Sequence, residues 1–259
     1  MFPSKKIQIN YVMKAAEIML LYCYEKKKKK KFINLINEDC DIYRKTDLYN
    51  IKKNNFHKRK KIIWKKITIK LEIFSKLNKK KFIIKSLQLL KFYFLQRITK
   101  NRSLIEYNTK AKFGCFSYSI IKNKVDLHMP VFQFINHKKI IKKYTKNQKF
   151  NMRAEDLIKL VKSVNKKHPN VKIIQMGSWM NQYQPFKKLF PVTWKPTSKL
   201  KKKNSIAWWG QFIKSNGDIN LDIYRNFKNS LKFKYQGRFY QCKILDLKKH
   251  LEKIKNVKY

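Results

Sequence analysis

The chain has 259 residues, is 43% hydrophobic, and carries 64 Lys+Arg against 15 Asp+Glu, a formal net charge of +49. That length and apolar content suffice to bury a real core, which excludes global disorder. No uninterrupted apolar run approaches the length of a bilayer-crossing helix, which excludes a membrane span.

In chain order, the first element is an amphipathic helix over residues 11–24. Its apolar positions Val12, Ala15, Ala16, Met19, Leu20 and Cys23 follow the i, i+3, i+4, i+7 spacing of one helix face. Lys14 and Glu17 interrupt the segment and no small-residue cleavage site follows, so it is not a signal peptide. The six lysines Lys26–Lys31 extend or end this helix in solvent, and residues 50–61 read as a polar basic loop. Ile67, Ile69, Leu71 and Ile73 alternate with polar residues and predict a strand. Phe82, Ile83, Leu87, Leu90 and Phe94 predict a helix over 82–96.

The second half is more legible. Phe116, Tyr118 and Ile120, a Lys122-Asn123 turn, then Val125, Leu127, Met129 and Val131 predict an antiparallel hairpin. A basic loop (137–149) leads to Asn151 as N-cap of a helix buried through Leu157, Leu160, Val161 and Val164. His168-Pro169-Asn170 ends it, and Val171–Met176 is a buried strand. Pro185 opens a short helix with Phe186, Leu189 and Phe190, which Pro191 closes. Residues 206–213 predict a strand, 215–218 a turn, and Leu221, Tyr224, Phe227 and Leu231 a helix. An extended 232–244 and a last helix with Asp246 near its start complete the chain. Alternating strands and helices imply an α/β (α+β) fold with a mixed, largely antiparallel central sheet flanked by helices. It forms a single domain with a basic, mainly helical portion (1–110) and an α/β portion (111–259).

Charge points first to nucleic acid, since polyphosphate is the usual partner of so basic a surface. Only seven of the 64 basic residues are arginine, however, whereas nucleic-acid sites favour its bidentate fork. The excess is also spread along the chain without a basic tail. Lys, Asn, Ile, Phe and Tyr share A/T-rich codons, so compositional bias explains the same surface. The four cysteines are scattered and form no C-x-x-C pair. They read as reduced thiols in a cytoplasmic protein.

The most informative window is 177–212, which holds four of the five tryptophans, two of the five glycines and three of the six prolines. Gly177-Ser178-Trp179-Met180, Leu189-Phe190-Pro191 and Trp209-Gly210-Gln211-Phe212 follow one another there. In this order and spacing they resemble a bacterial family of uncharacterised proteins with Ser-Trp-Leu, Leu-Phe-Pro and Trp-Gly-Gln-Phe motifs. Met180 departs from that family's Leu. The resemblance implies membership and brings no activity with it. Hairpin, helix, strand, short helix and strand in this order are also similar to the acyl-coenzyme A-dependent N-acetyltransferase (GNAT) layout. That likeness implies a pyrophosphate site at a helix N-terminus near Met152, helped by Arg153, although residues 137–153 contain no glycine.

Candidate ligand-binding residues are Ser178, Trp179 and Asn181 after the strand end, Trp209 and Gln211 on the predicted strand, Arg153, and His128. Each has a plainer alternative: tryptophans as core, Asn181 (with Gln182 and Gln184) as loop hydrogen bonding, His128 as a satisfied core histidine. Ser178 lacks a nucleophile elbow, and no Cys/His spacing suits a metal. The sequence predicts a small-ligand cleft between the Gly177–Asn181 turn and the Trp-Gly-Gln-Phe segment for an anionic small molecule, and the acetyltransferase likeness is what implies an acyltransferase-like activity with acyl-coenzyme A. The alternative is a non-catalytic RNA- or DNA-associated protein, and the third reading makes the aromatic window simply core.

Overall fold

The computed structural model describes residues 5–40, 42–50, 55–56, 60–99, 113–129, 144–200, 209–214 and 218–256. They belong to two compact units. One comprises Ser4–Glu106 with Lys201–Lys234; the other comprises Tyr107–Leu200 with Tyr235–Tyr259 and the first three residues.

The first unit is helical. Helix α1 (Lys5–Lys26) is buried on nearly every side, from Tyr11 and Val12 to Tyr22 and Cys23. An all-round apolar surface of this kind belongs to a central helix. It ends at Lys26, where the lysine block begins. A helical turn (Phe32–Asn34) continues into a π-type turn (Leu35–Asp39), and a two-stranded ribbon pairs β1 (Tyr49–Asn50) with β2 (Asn55–Phe56). Helix α2 (Lys60–Phe74) and helix α3 (Lys79–Thr99) follow, the latter as the sequence predicts.

Helix α2 replaces the strand predicted at 67–73. Trp64, Ile67, Thr68, Leu71 and Ser75 are the buried positions, a helical spacing. Ile69 and Ile73, which completed the apparent alternation, lie on the opposite face and are 43% and 55% exposed. Arg97 of α3 is 1% exposed, and its Nη1 donates to the carbonyls of Thr46 (2.8 Å) and Tyr49 (3.2 Å). Cys23 and Cys40, both fully buried, place their sulfurs 3.6 Å apart as free thiols.

Residues 209–213 do not form the predicted strand. Trp209 lies in a helical turn and Gly210–Phe212 form a 3-10 turn; residues 206–208, Trp208 among them, lie outside the described residues. Helix α6 (Leu221–Ser230) follows, ending at Leu231 in the left-handed conformation. Trp209 (2% exposed) meets the rings of Tyr22, Phe212, Phe227 and Phe233, and its Nε1 donates to Asp39 O at 3.3 Å.

The second unit is a mixed, mostly antiparallel five-stranded sheet in the order β3-β4-β5-β7-β6. The hairpin β3 (Ser117–Ile121) and β4 (Lys124–His128) turns at Lys122 and Asn123, both at positive φ, as a two-residue hairpin requires. Helix α4 (Lys146–Lys167) crosses over to β5 (Ile173–Ser178), which pairs parallel with β4. Helix α5 (Gln184–Lys187) has Pro185 in its first turn. β6 (Lys195–Lys199), β7 (Arg238–Lys243) and α7 (Ile244–Asn256) complete the unit. Val125, Leu127, Ile174, Met176, Tyr240 and Cys242 on one sheet face share a core with Leu157, Leu160, Val161 and Val164 of α4 and Leu247 and Leu251 of α7.

The N-cap of α4 is Thr145 rather than Asn151. Thr145 Oγ1 accepts from Gln148 N and Gln148 Oε1 accepts from Thr145 N, a reciprocal capping box. Among the described residues, no helix is long and apolar enough to cross a membrane.

Candidate functional site

In the sheet of the second unit the two parallel strands pair over three residues each. β4 and β5 pair at Lys124/Ile173, Val125/Ile174 and Asp126/Gln175, and there their ladder stops. β4 continues against β3 as far as His128, and β5 continues against β7 as far as Ser178. The last two residues of β4 and the last three of β5 therefore flank a break in an otherwise continuous sheet. Backbone groups along such edges need partners that the ladder no longer supplies.

A polar row lies beside this break, on the face opposite the helical core. Ser119, Asp126, Gln175 and Gln241 are successive cross-strand neighbours on β3, β4, β5 and β7. Gln175 Nε2 donates to Asp126 Oδ1 at 3.4 Å, and Lys124 Nζ donates to Gln241 Oε1 at 3.0 Å. His128 completes the cluster: its Nε2 lies 2.9 Å from Ser119 Oγ and 3.6 Å from Asp126 Oδ2.

Hydroxyl and carboxylate approach the same ring nitrogen. A Ser-His-Asp relay sets them on opposite nitrogens, so this trio is built differently. Burial lowers the His128 pKa below the ordinary imidazole value, with Asp126 pulling the other way. Burial raises the Asp126 pKa, opposed by His128 and by the hydrogen bond from Gln175. The pair thus favours a neutral imidazole able to accept a proton at physiological pH. His128 is half-buried on the polar face and not in the apolar core.

On the β5 side, Gly177 is fixed by packing. A Cβ there would stand 2.9 Å from the ring of Phe239, its cross-strand partner. Ser178 is buried, and its Oγ accepts from Met180 N at 3.1 Å, capping the Trp179–Gln182 turn. Asn181 is fully buried. Its Nδ2 donates to Met176 O (2.8 Å) and to Arg238 O (3.1 Å), while no described group donates to its Oδ1. Trp179 is half-buried, stacked on Tyr235 at 5.6 Å and tilted against Tyr183 at 6.3 Å.

The structure therefore gathers Ser178, Trp179 and Asn181 at the end of β5, and His128 at the end of β4. Arg153 stands elsewhere. Because α4 begins at Lys146, residues 152–153 lie two turns inside the helix, where their amide N–H groups are committed to the helical ladder. Arg153 and Asp156 neighbour Cys115, whose thiol burial pushes up to about 12, and the Asp156 carboxylate fills the space beside Gly114. The helix N-terminus sits instead at Thr145–Gln148, with Lys146 and Lys149 in its first turn. Trp209 and Gln211, 2% and 1% exposed, are buried in the helical unit.

Sequence reading missed Ser119, Asp126, Gln175 and Gln241. The usable signal was the polar member of each alternating strand pair, Ser117/Ser119 and Asp126/His128. Only the cross-strand register joins them into one row. Among the described residues, no group of His, Cys, Asp and Glu is placed to hold a metal ion. Comparison with protein-family models, with curated proteins and with solved structures finds no match to this chain.

Proposed function

We propose that the sheet unit binds an acyl thioester of coenzyme A and transfers its acyl group. The observation that carries the reading is the break in the β4–β5 ladder beyond Asp126/Gln175. An extended ligand rich in amides satisfies two strand edges at once, by the hydrogen bonding through which peptides add to sheets. The pantetheine arm of coenzyme A is such a ligand. The buried acceptor Asn181 Oδ1 and the half-buried Trp179 at the end of β5 fit a bound chain of this kind. The strand and helix order, which resembles the acyl-coenzyme A-dependent N-acetyltransferase layout, agrees with it.

His128 serves as the base in this reading. It takes the proton of an acceptor amine as the amine nitrogen attacks the thioester carbon. The C–N bond forms, the C–S bond breaks, and the thiolate leaves to be protonated. Lys146 and Lys149 at the first turn of α4 supply charge for the phosphates, although the capping box already uses the Gln148 N–H.

A second reading, polyanion binding by charge alone, rests on the net charge of +49. Calorimetric titration with coenzyme A and with its nucleotide fragment, adenosine 3′,5′-bisphosphate, separates the two. At about 0.3 M salt, where exposed charges are strongly screened, coenzyme A is expected to bind roughly tenfold or more tightly than the fragment. Equal affinities would falsify the thioester reading and leave the polyanion one.

A further inference from the structure

We propose that helices α2 and α3 form a docking face for an anionic lipid bilayer, on which the protein lies without crossing. The inference is independent of the thioester reading and belongs to the other unit.

Both helices carry large apolar side chains on two opposite sides. The buried side of α2 is Trp64, Ile67, Thr68 and Leu71, while Ile62 (64% exposed), Ile69 and Ile73 form a stripe half a turn away. The buried side of α3 is Phe82, Ser86, Leu90 and Phe94, while Ile84, Phe92 (57% exposed) and Leu95 line its outer side. Helices of a globular protein normally carry polar residues opposite the core. Here that side carries exposed isoleucines, Phe92 and Leu95 interleaved with lysines and Gln88, on two helices that contact one another. Apolar side chains gathered on one exposed surface mark an interaction site more than isolated ones do.

Charge selects the occupant. The stripes are bordered by exposed Lys61, Lys65, Lys66, Lys70, Lys85 and Lys91, and Glu72 is the one acid in residues 60–99. An apolar stripe with lysines beside it fits a surface that offers anionic headgroups over hydrocarbon. A second copy of this chain would set lysines against lysines. A nucleic acid would meet mainly branched aliphatic side chains, which give bases little to stack on.

Co-sedimentation with vesicles tests the proposal. The full chain is mixed with phosphatidylcholine vesicles with or without about one third phosphatidylserine, at about 0.15 M salt. The comparison is a variant with Ile62→Gln, Ile69→Gln, Ile73→Gln and Phe92→Gln, which keeps every charge and alters only exposed positions. Binding to the serine-lipid vesicles is expected, and the variant should lose roughly tenfold or more of it. Equal binding by the variant overturns the proposal, because lysines alone then explain attachment. So does absence of vesicle binding by the unaltered chain. A dimer that the variant loses in sedimentation assigns the face to a second copy. A selective loss of oligouridylate binding assigns it to RNA. Should the variant fail to fold by circular dichroism, Phe92→Trp decides: blue-shifted emission on serine-lipid vesicles supports insertion, and unchanged emission refutes it.

Discussion

Trp179 and Trp209 belong to one window of sequence and do different work in two different units. Trp179 stands half-buried at the end of β5, stacked on Tyr235, beyond the last β4–β5 pair. Trp209 is 2% exposed among Tyr22, Phe212, Phe227 and Phe233, with its indole N–H held by Asp39 O. The contrast teaches that a dense run of costly residues marks where structure is specified, and that only the polar surroundings say which part is a site. The sheet unit collects Ser119, Asp126, His128 and Gln175 in one place. The helical unit collects rings.

The largest expected effect comes from truncating the buried indole. Trp209→Ala should destabilise the helical unit by about 3–5 kcal/mol, the range for a large aromatic removed from a core. Trp179→Ala should cost no more than roughly 1–1.5 kcal/mol, because its ring is already partly in water. Urea unfolding followed by hydrogen exchange reads both, and equal losses in the two variants would erase the distinction between site and core.

An intermediate effect is expected at Gly177. A methyl group there meets the Phe239 ring at 2.9 Å, so Gly177→Ala should cost about 1–2 kcal/mol through overpacking. Adding Phe239→Leu should recover part of that loss. If the single variant is as stable as the parent in the same unfolding experiment, the close approach does not constrain the strand end.

The smallest effect concerns pH. Burial holds folded-state His128 below the ordinary imidazole value, so on acidification the unfolded chain takes up this proton first. Its contribution to stability is present above about pH 6.5 and is lost as pH falls through that value toward the folded-state one. Asp126 has the opposite sign. Its raised pKa lets the folded chain bind a proton more readily, so its contribution grows in acid and offsets part of the loss. Unfolding free energies compared between about pH 7.5 and 5.5 should fall less steeply in His128→Asn than in the parent. Parallel slopes would show that the imidazole is not held neutral by burial.

Much of the sheet unit was legible because its strands alternate cleanly and its turns carry the right residues. The Lys122-Asn123 hairpin, the buried stripe of α4 and the Pro185 turn all follow from local chemistry. Strand β6 was not legible: Lys195–Lys199 is exposed throughout, so its membership in the sheet rests mainly on backbone pairing with β7. Helix α2 misled because two apolar stripes on opposite sides of a helix imitate the alternation of a strand. Capping at Thr145 was hidden by a stronger-looking Asn151. The row from Ser119 to Gln241 is a property of register, which no single segment contains.

Arg97 carries a consequence for reading a chain so dominated by lysine. Lysine fills most positions where a cation only has to face water. Deep in the helical unit, the Arg97 guanidinium donates to the carbonyls of Thr46, just before the ribbon, and of Tyr49, in its first strand. A planar, weakly hydrated cation is less costly to desolvate than a compact ammonium. In a composition this monotonous, a buried arginine is thus a landmark: it shows where the fold depends on the shape of a cation as well as its charge.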